Sequence, residues 1–194
     1  IFSGEDFGSD AVAYLVNGTL EMAEVELNHL QALSLIQESR DGRWRLHSLL
    51  RDYAREKLEV TRRLGTVVER ILLMYRQAVQ KQWDFARSLD AEIPNIRFAL
   101  DQASQLKLYQ PLLETVQAIY PTLSIGAWFS LARTALEQAR EAAHALGDRE
   151  ADLYLLKGLA FVQMGLGDNK NAQDNLHLAL QLAMSANHEE DAAD

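Results

Sequence analysis

Residues Ser34–Leu58 read SLIQESRDGRWRLHSLLRDYAREKL, and a change of period inside this stretch decides the fold. Ser34 to Gln37 is a brief apolar run, Asp41-Gly42 is a turn signal, and Trp44-Arg45-Leu46 alternates apolar and polar as a returning strand does. From Leu46 onward the apolar residues recur every three or four positions, at Leu49, Leu50, Tyr53, Ala54 and Leu58, which is the spacing of one helical face. Arg51, Asp52, Arg55, Glu56 and Glu59 take the other face. Ser48 is the natural N-cap of this helix. His47 therefore stands immediately before it, where unpaired N–H groups and the positive end of the helix dipole favour an anion.

Upstream, Ser9-Asp10 caps a short helix over about 11–16, Asn17-Gly18 closes it and Thr19 opens the next. That next helix, about 20–33, has Met22, Val25, Leu30 and Leu33 to bury; it carries Glu21, Glu24 and Glu26 and neither Lys nor Arg. Three carboxylates without a cation repel a nucleic-acid backbone, so this is not a groove-reading helix. Downstream, an amphipathic helix over about 66–83 presents Val67, Ile71, Met74, Tyr75 and Val79, and Pro94 suits a first helical position. In the last third, Ala132, Leu136 and Ala139 recur as Ala172, Leu176 and Ala179, an offset of 40, while Gly147-Asp148 is echoed by Gly167-Asp168. Repeats of this size are stacked helical hairpins, each hiding its apolar face against a neighbour.

The 194 residues carry a net charge of −9, which argues against a nucleic-acid binder as a whole. Locally the balance reverses: residues 38–63 hold eight basic residues against five acidic ones, around the hairpin and His47. Zero cysteines exclude a disulfide framework and thiolate metal sites. No apolar run reaches the roughly 18 residues of a membrane span, and the start IFSGEDFGSD lacks the order of a signal peptide. Neither a phosphate loop, a His-Glu-x-x-His pair nor a Gly-x-Ser-x-Gly elbow occurs. Gly165-x-Gly167-x-x-Lys170 lacks the third glycine of a dinucleotide fingerprint and reads as a repeat turn. His29, His47, His144, His177 and His188 show no metal-ligand spacing. The expectation is a chain without catalysis, metal or membrane contact.

Leu46-His47-Ser48-Leu49-Leu50-Arg51-Asp52-Tyr53-Ala54 resembles the Met-His-Asp motif, with its following Leu-x-Arg-x-x-Ala, of the winged-helix subdomain in the NB-ARC branch of the STAND NTPases. These signalling ATPases include plant resistance proteins, apoptotic adaptors and AfsR-like bacterial regulators. Ile1-Phe2-Ser3-Gly4-Glu5-Asp6-Phe7 resembles the Phe-x-Gly-x-Phe that begins the same subdomain. Glu92-Ile93-Pro94-Asn95-Ile96-Arg97-Phe98-Ala99-Leu100 is similar to the Glu-x-x-Asn-Leu-Arg-x-Ala-Leu that follows it in AfsR-like and LuxR-related members. Leu155, Gly158, Phe161, Gly167, Ala172 and Ala179 resemble the small and large positions of a tetratricopeptide (TPR) repeat, with two extra residues near Gly165-Leu166.

The resemblance implies a mainly α fold. A winged-helix domain with a short β-hairpin occupies residues 1–62. Helical hairpins over 63–194 continue into TPR-like repeats, clearest at 126–148 and 150–187. It implies that His47 senses the β-phosphate of ADP held by an upstream nucleotide-binding domain in cis, with Ser48 as helix cap where the family often has Asp. ADP or ATP with Mg then belongs to the longer parent and no cofactor to this fragment; the lack of an initial Met fits a piece of a longer chain. The function implied is a cytoplasmic, non-catalytic regulatory and protein-interaction fragment of a signal-transduction or transcriptional regulator, its repeats binding a protein or peptide effector. Two other readings stand beside it: a TPR scaffold with a purely structural winged helix, and a DNA-binding winged-helix transcription factor relying on Arg43 and Arg45.

Overall fold

The computed structural model of the chain describes residues 6–39, 41–80 and 85–191, with backbone alone for 85–88 and 186–191. The described residues form nine α-helices and one two-stranded antiparallel sheet. They fall into two compact units, residues 1–108 and 109–194. The boundary read from sequence, between residues 62 and 63, lies inside the first of these. Parts of that reading fall outside the described residues: Phe2 and Gly4 of the first motif, Arg40 in the turn, Trp83, and the acidic end 192–194.

In the first unit, α1 (Ser9–Val16) and α2 (Leu20–Ala32) precede β1 (Ile36–Glu38) and β2 (Trp44–Leu46). The strands pair with Ile36 opposite Leu46 and Glu38 opposite Trp44, and Gly42 takes φ +69° in the turn between them. Phe7 bridges Trp44 through two main-chain bonds of 2.8 Å, so the hairpin is flanked on its second strand as well. Leu27, Ile36 and Trp44 form the local core, with Phe7, Val12, Leu30 and Leu46 packed around it.

Three expectations for the helices change here. Gly8, not Ser9-Asp10, precedes α1, and it offers no side chain to cap with. On α2 the buried residues are Ala23 and Leu27, while Met22, Val25 and Leu33 are exposed. The buried face is the one that includes the small Ala23, which lets the helix sit close against its neighbours. Pro94 lies inside α5 (Phe85–Gln105), not at its start; one N–H is lost there, and the flanking buried residues Leu89, Ile96, Ala99, Leu100 and Ala103 hold the helix through it. α3 (Ser48–Val60) has no fully buried residue, whereas α4 (Leu64–Gln80) buries Leu64, Val68, Ile71, Leu72, Met74, Tyr75 and Ala78 and packs against α5.

The second unit is a coarse helical solenoid of α6 (Tyr109–Ile125), α7 (Phe129–Leu146), α8 (Arg149–Gly165) and α9 (Asn169–Asp191), each packed on the next. A left-handed residue follows a helix at Lys107, Ala127, Gly147 and Gly167, so helix plus turn repeats every 20 residues and the hairpin every 40. At each of these turns the left-handed residue bonds back three positions and its successor bonds back five, for example Ala127 to Ser124 and Trp128 to Leu123. This pair of bonds satisfies the last carbonyls of the helix. Among the described residues, no helix is long and apolar enough to cross a membrane.

Candidate functional site

His47 is exposed where β2 passes into α3. The residue has extended backbone (φ −60°, ψ 141°) and is itself the cap of α3; its Nδ1 accepts the Leu49 N–H at 3.3 Å. This corrects the assignment of Ser48 as cap: Ser48 already has its place in the first turn, and the side chain one position earlier is the one whose acceptor reaches the helix N–H groups. With Nδ1 accepting, a neutral ring carries its proton on Nε2, which is then the donor it presents to a ligand.

Behind the hairpin lies a cluster of polar groups that joins four segments. Arg43, at the start of the returning strand, donates through Nε to Asp6 Oδ1 and through Nη2 to Glu92 Oε1, both at 2.5 Å. Glu92 Oε2 accepts from the Tyr75 hydroxyl at 2.7 Å and from Asn95 Nδ2 at 3.2 Å, and Asn95 Nδ2 also reaches the Asp6 main-chain oxygen at 2.9 Å. Tyr75 and Asn95 are 2% and 1% exposed, so these groups have left water and depend on one another. Burial alone lowers the Arg43 pKa, but the bond to Asp6 and the charge of Glu92 outweigh it and the net direction is upward. Burial, then the Glu92 charge and hydrogen bond, push the Tyr75 phenol well above its ordinary range. The two residues singled out in the second motif, Glu92 and Asn95, are therefore the centre of this cluster.

α3 is held differently. Its inner residues Leu50, Ala54 and Leu58 are half-buried, and Arg55 donates to Gln102 Oε1 of α5 at 3.0 Å with its guanidinium 5.9 Å from the Phe98 ring centre. Leu49, Tyr53 and Val60 remain exposed, although the period placed Leu49 and Tyr53 on the inner face.

In the second unit Asp152, almost fully buried on α8, accepts from Arg140 Nε at 2.7 Å and lies 2.9 Å from His144 Nε2, both on α7. Burial raises its pKa, yet the bonds from Arg140 and His144 prevail and hold the carboxyl below its ordinary value. A shallow pocket of about 280 Å³ beside it is lined by Ala143, His144, Asp148, Arg149, Asp152 and Leu182. Sequence reading passed over Asp152; the signal was a carboxylate at a helix position whose equivalents at 20-residue spacing are Leu112, Ala132 and Ala172. Among the described residues no group of His, Asp or Glu is arranged to hold a metal ion.

No protein-family model, curated protein or solved structure matches the chain.

Proposed function

We propose that the chain is a non-catalytic regulatory and protein-interaction part of a STAND-type NTPase switch. In this reading the first unit contains a winged helix that docks on an upstream ADP- or ATP-binding domain, and the helical hairpins are TPR-like repeats that receive a protein or peptide effector. The observation that supports it best is the exposed imidazole of His47, tethered by Nδ1 to the start of α3, which leaves Nε2 as the nitrogen able to donate. That arrangement suits a phosphate oxygen offered by another domain, since the donor is pre-oriented and the dipole of α3 adds to its attraction. Arg43, which a DNA-reading wing would need, is engaged by Asp6 and Glu92, and this favours a docking role over DNA contact.

The test is an ADP titration of the parent polypeptide that joins a nucleotide-binding domain to this chain. His47→Ala is expected to weaken ADP by about 1.5–3 kcal/mol, the range for a hydrogen bond to a charged group. Equal affinity of the two proteins removes His47 from the mechanism. The scaffold reading draws on the apolar residues exposed along α9; it requires that effector binding by the whole chain be indifferent to nucleotide and to His47.

A further inference from the structure

α3 lies on the first unit without entering its core. None of its residues is fully buried, whereas α4 buries seven. Leu49, Tyr53 and Val60 are 72%, 57% and 73% exposed, and Leu50, Ala54 and Leu58 on the inner side are only half-buried. At the middle of the helix Arg55 reaches α5, where its Nη2 donates to Gln102 Oε1 at 3.0 Å and its guanidinium lies 5.9 Å from the Phe98 ring centre. Gln102 is 4% exposed, so Arg55 is a side chain by which α3 reaches a buried group. The backbone changes conformation at both ends: His47 is extended before the helix, and Arg62 is left-handed, at φ 55°, just after it. A helix of 13 residues is marginal in water without such docking.

We infer that α3 is a strap that opens as a local unit between His47 and Arg62 while the rest of the first unit stays folded, and that the anion site at His47 exists only while the strap is closed. Opening uncovers the half-buried Leu50, Ala54 and Leu58 and returns Arg55 to water, a small apolar loss beside that of the core helices. The Glu92 cluster is built from Asp6, Arg43, Tyr75, Glu92 and Asn95, which lie outside α3, so the joint behind the hairpin remains made. His47 Nδ1 accepts the N–H of Leu49 in the first turn of α3; unwinding that turn removes the bond and the ring orientation it sets. An anion on His47 therefore favours the closed strap, and docking through Arg55 favours the anion by the same factor. Gln102 and Phe98 become positioning residues for the site. The opening stands on burial and docking; its link to an anion rests on the proposed role of His47.

The test is hydrogen exchange of the whole chain, read amide by amide by NMR without nucleotide. Amides 51–60 of α3 are expected to exchange at least about a hundredfold faster than amides 68–78 of α4. Their rates should barely change in low urea, because little surface is uncovered, while those of α4 rise. Arg55→Ala is expected to speed exchange in α3 roughly tenfold and to leave α4 as it was. Gln102→Ala, which alters nothing within α3, should do the same from the other side of the contact, and the α4 rates in the same sample show that the fold is intact. Glu59→Ala removes the partner of Arg55 inside the helix and should have little effect. Exchange of α3 at the rate and urea dependence of α4 overturns the inference. So does an α3 indifferent to both Arg55→Ala and Gln102→Ala, or an equal acceleration of α4. The rates are read without nucleotide, so the strap and the ADP titration fail separately.

Discussion

Glu92 is the residue on which the first unit's polar interior depends, since its two oxygens serve Arg43, Tyr75 and Asn95 together. Glu92→Ala leaves the Arg43 cation with Asp6 and takes an acceptor from a buried phenol, and is expected to cost roughly 3 kcal/mol in urea denaturation. Tyr75→Phe removes one bond and should cost about 1 kcal/mol. The phenol also gives the unit an alkaline limit. Burial and then Glu92 raise its pKa, so the folded state keeps the proton that the unfolded chain releases near the ordinary value of 10.0. Stability from this group is complete below that pH and falls as pH rises beyond it. Tyr75→Phe should flatten that fall; an unchanged alkaline slope would show that another group sets it. None of this was legible from sequence. The motif pointed to Glu92 and Asn95, but Arg43 lies 49 positions from Glu92 and Asp6 lies 89 from Asn95, and no local pattern records such partners.

At the scale of elements, helix ends were legible only where the closing residue tolerates a left-handed backbone. Asn17, Gly147 and Gly167 close helices as residue type predicts. Ser34, Arg62, Lys107 and Ala127 adopt the same conformation with φ between 55° and 59° and carry no such signal; the paired backbone bonds of each turn impose it. Lys107→Gly and Ala127→Gly should therefore stabilise by about 0.5–1 kcal/mol, and Gly147→Ala should destabilise by about 1 kcal/mol, measured by thermal unfolding. A Cβ at Gly147 meets nothing within 4 Å, so that last change isolates the backbone term. The hairpin and α3 were read from their change of period. The buried face of α2 was not, because Ala23 gives a weak apolar signal while the exposed Met22 and Val25 give strong ones. The exposed position of His47 lies outside what periodicity can report; its place before α3 was readable, its role as the cap was not.

For the molecule as a whole, the solenoid makes equivalent residues unequal. Leu136 is fully buried and Leu176 about half exposed, although the repeat assigns both the same position. Leu136→Ala is expected to cost about 3 kcal/mol and to loosen α8 and α9 together, whereas Leu176→Ala should cost less than about 1 kcal/mol. Hydrogen exchange along α8 and α9 distinguishes the two, and equal losses would contradict the difference in burial. The sequence shows the 40-residue spacing and one 20-residue echo, Gly147-Asp148 in Gly167-Asp168, but that step does not carry back along the chain, because Lys107 and Ala127 do not look like Gly147 and Gly167.

The Glu92 cluster also dictates an order of assembly. A ribosome delivers Asp6 and Arg43 well before the segment that completes their surroundings, and at about 5–20 residues per second the wait lasts seconds. Throughout that interval the hairpin is a nascent piece with its guanidinium in water, so any version of this polypeptide that stops short of α5 would emerge with that joint unmade.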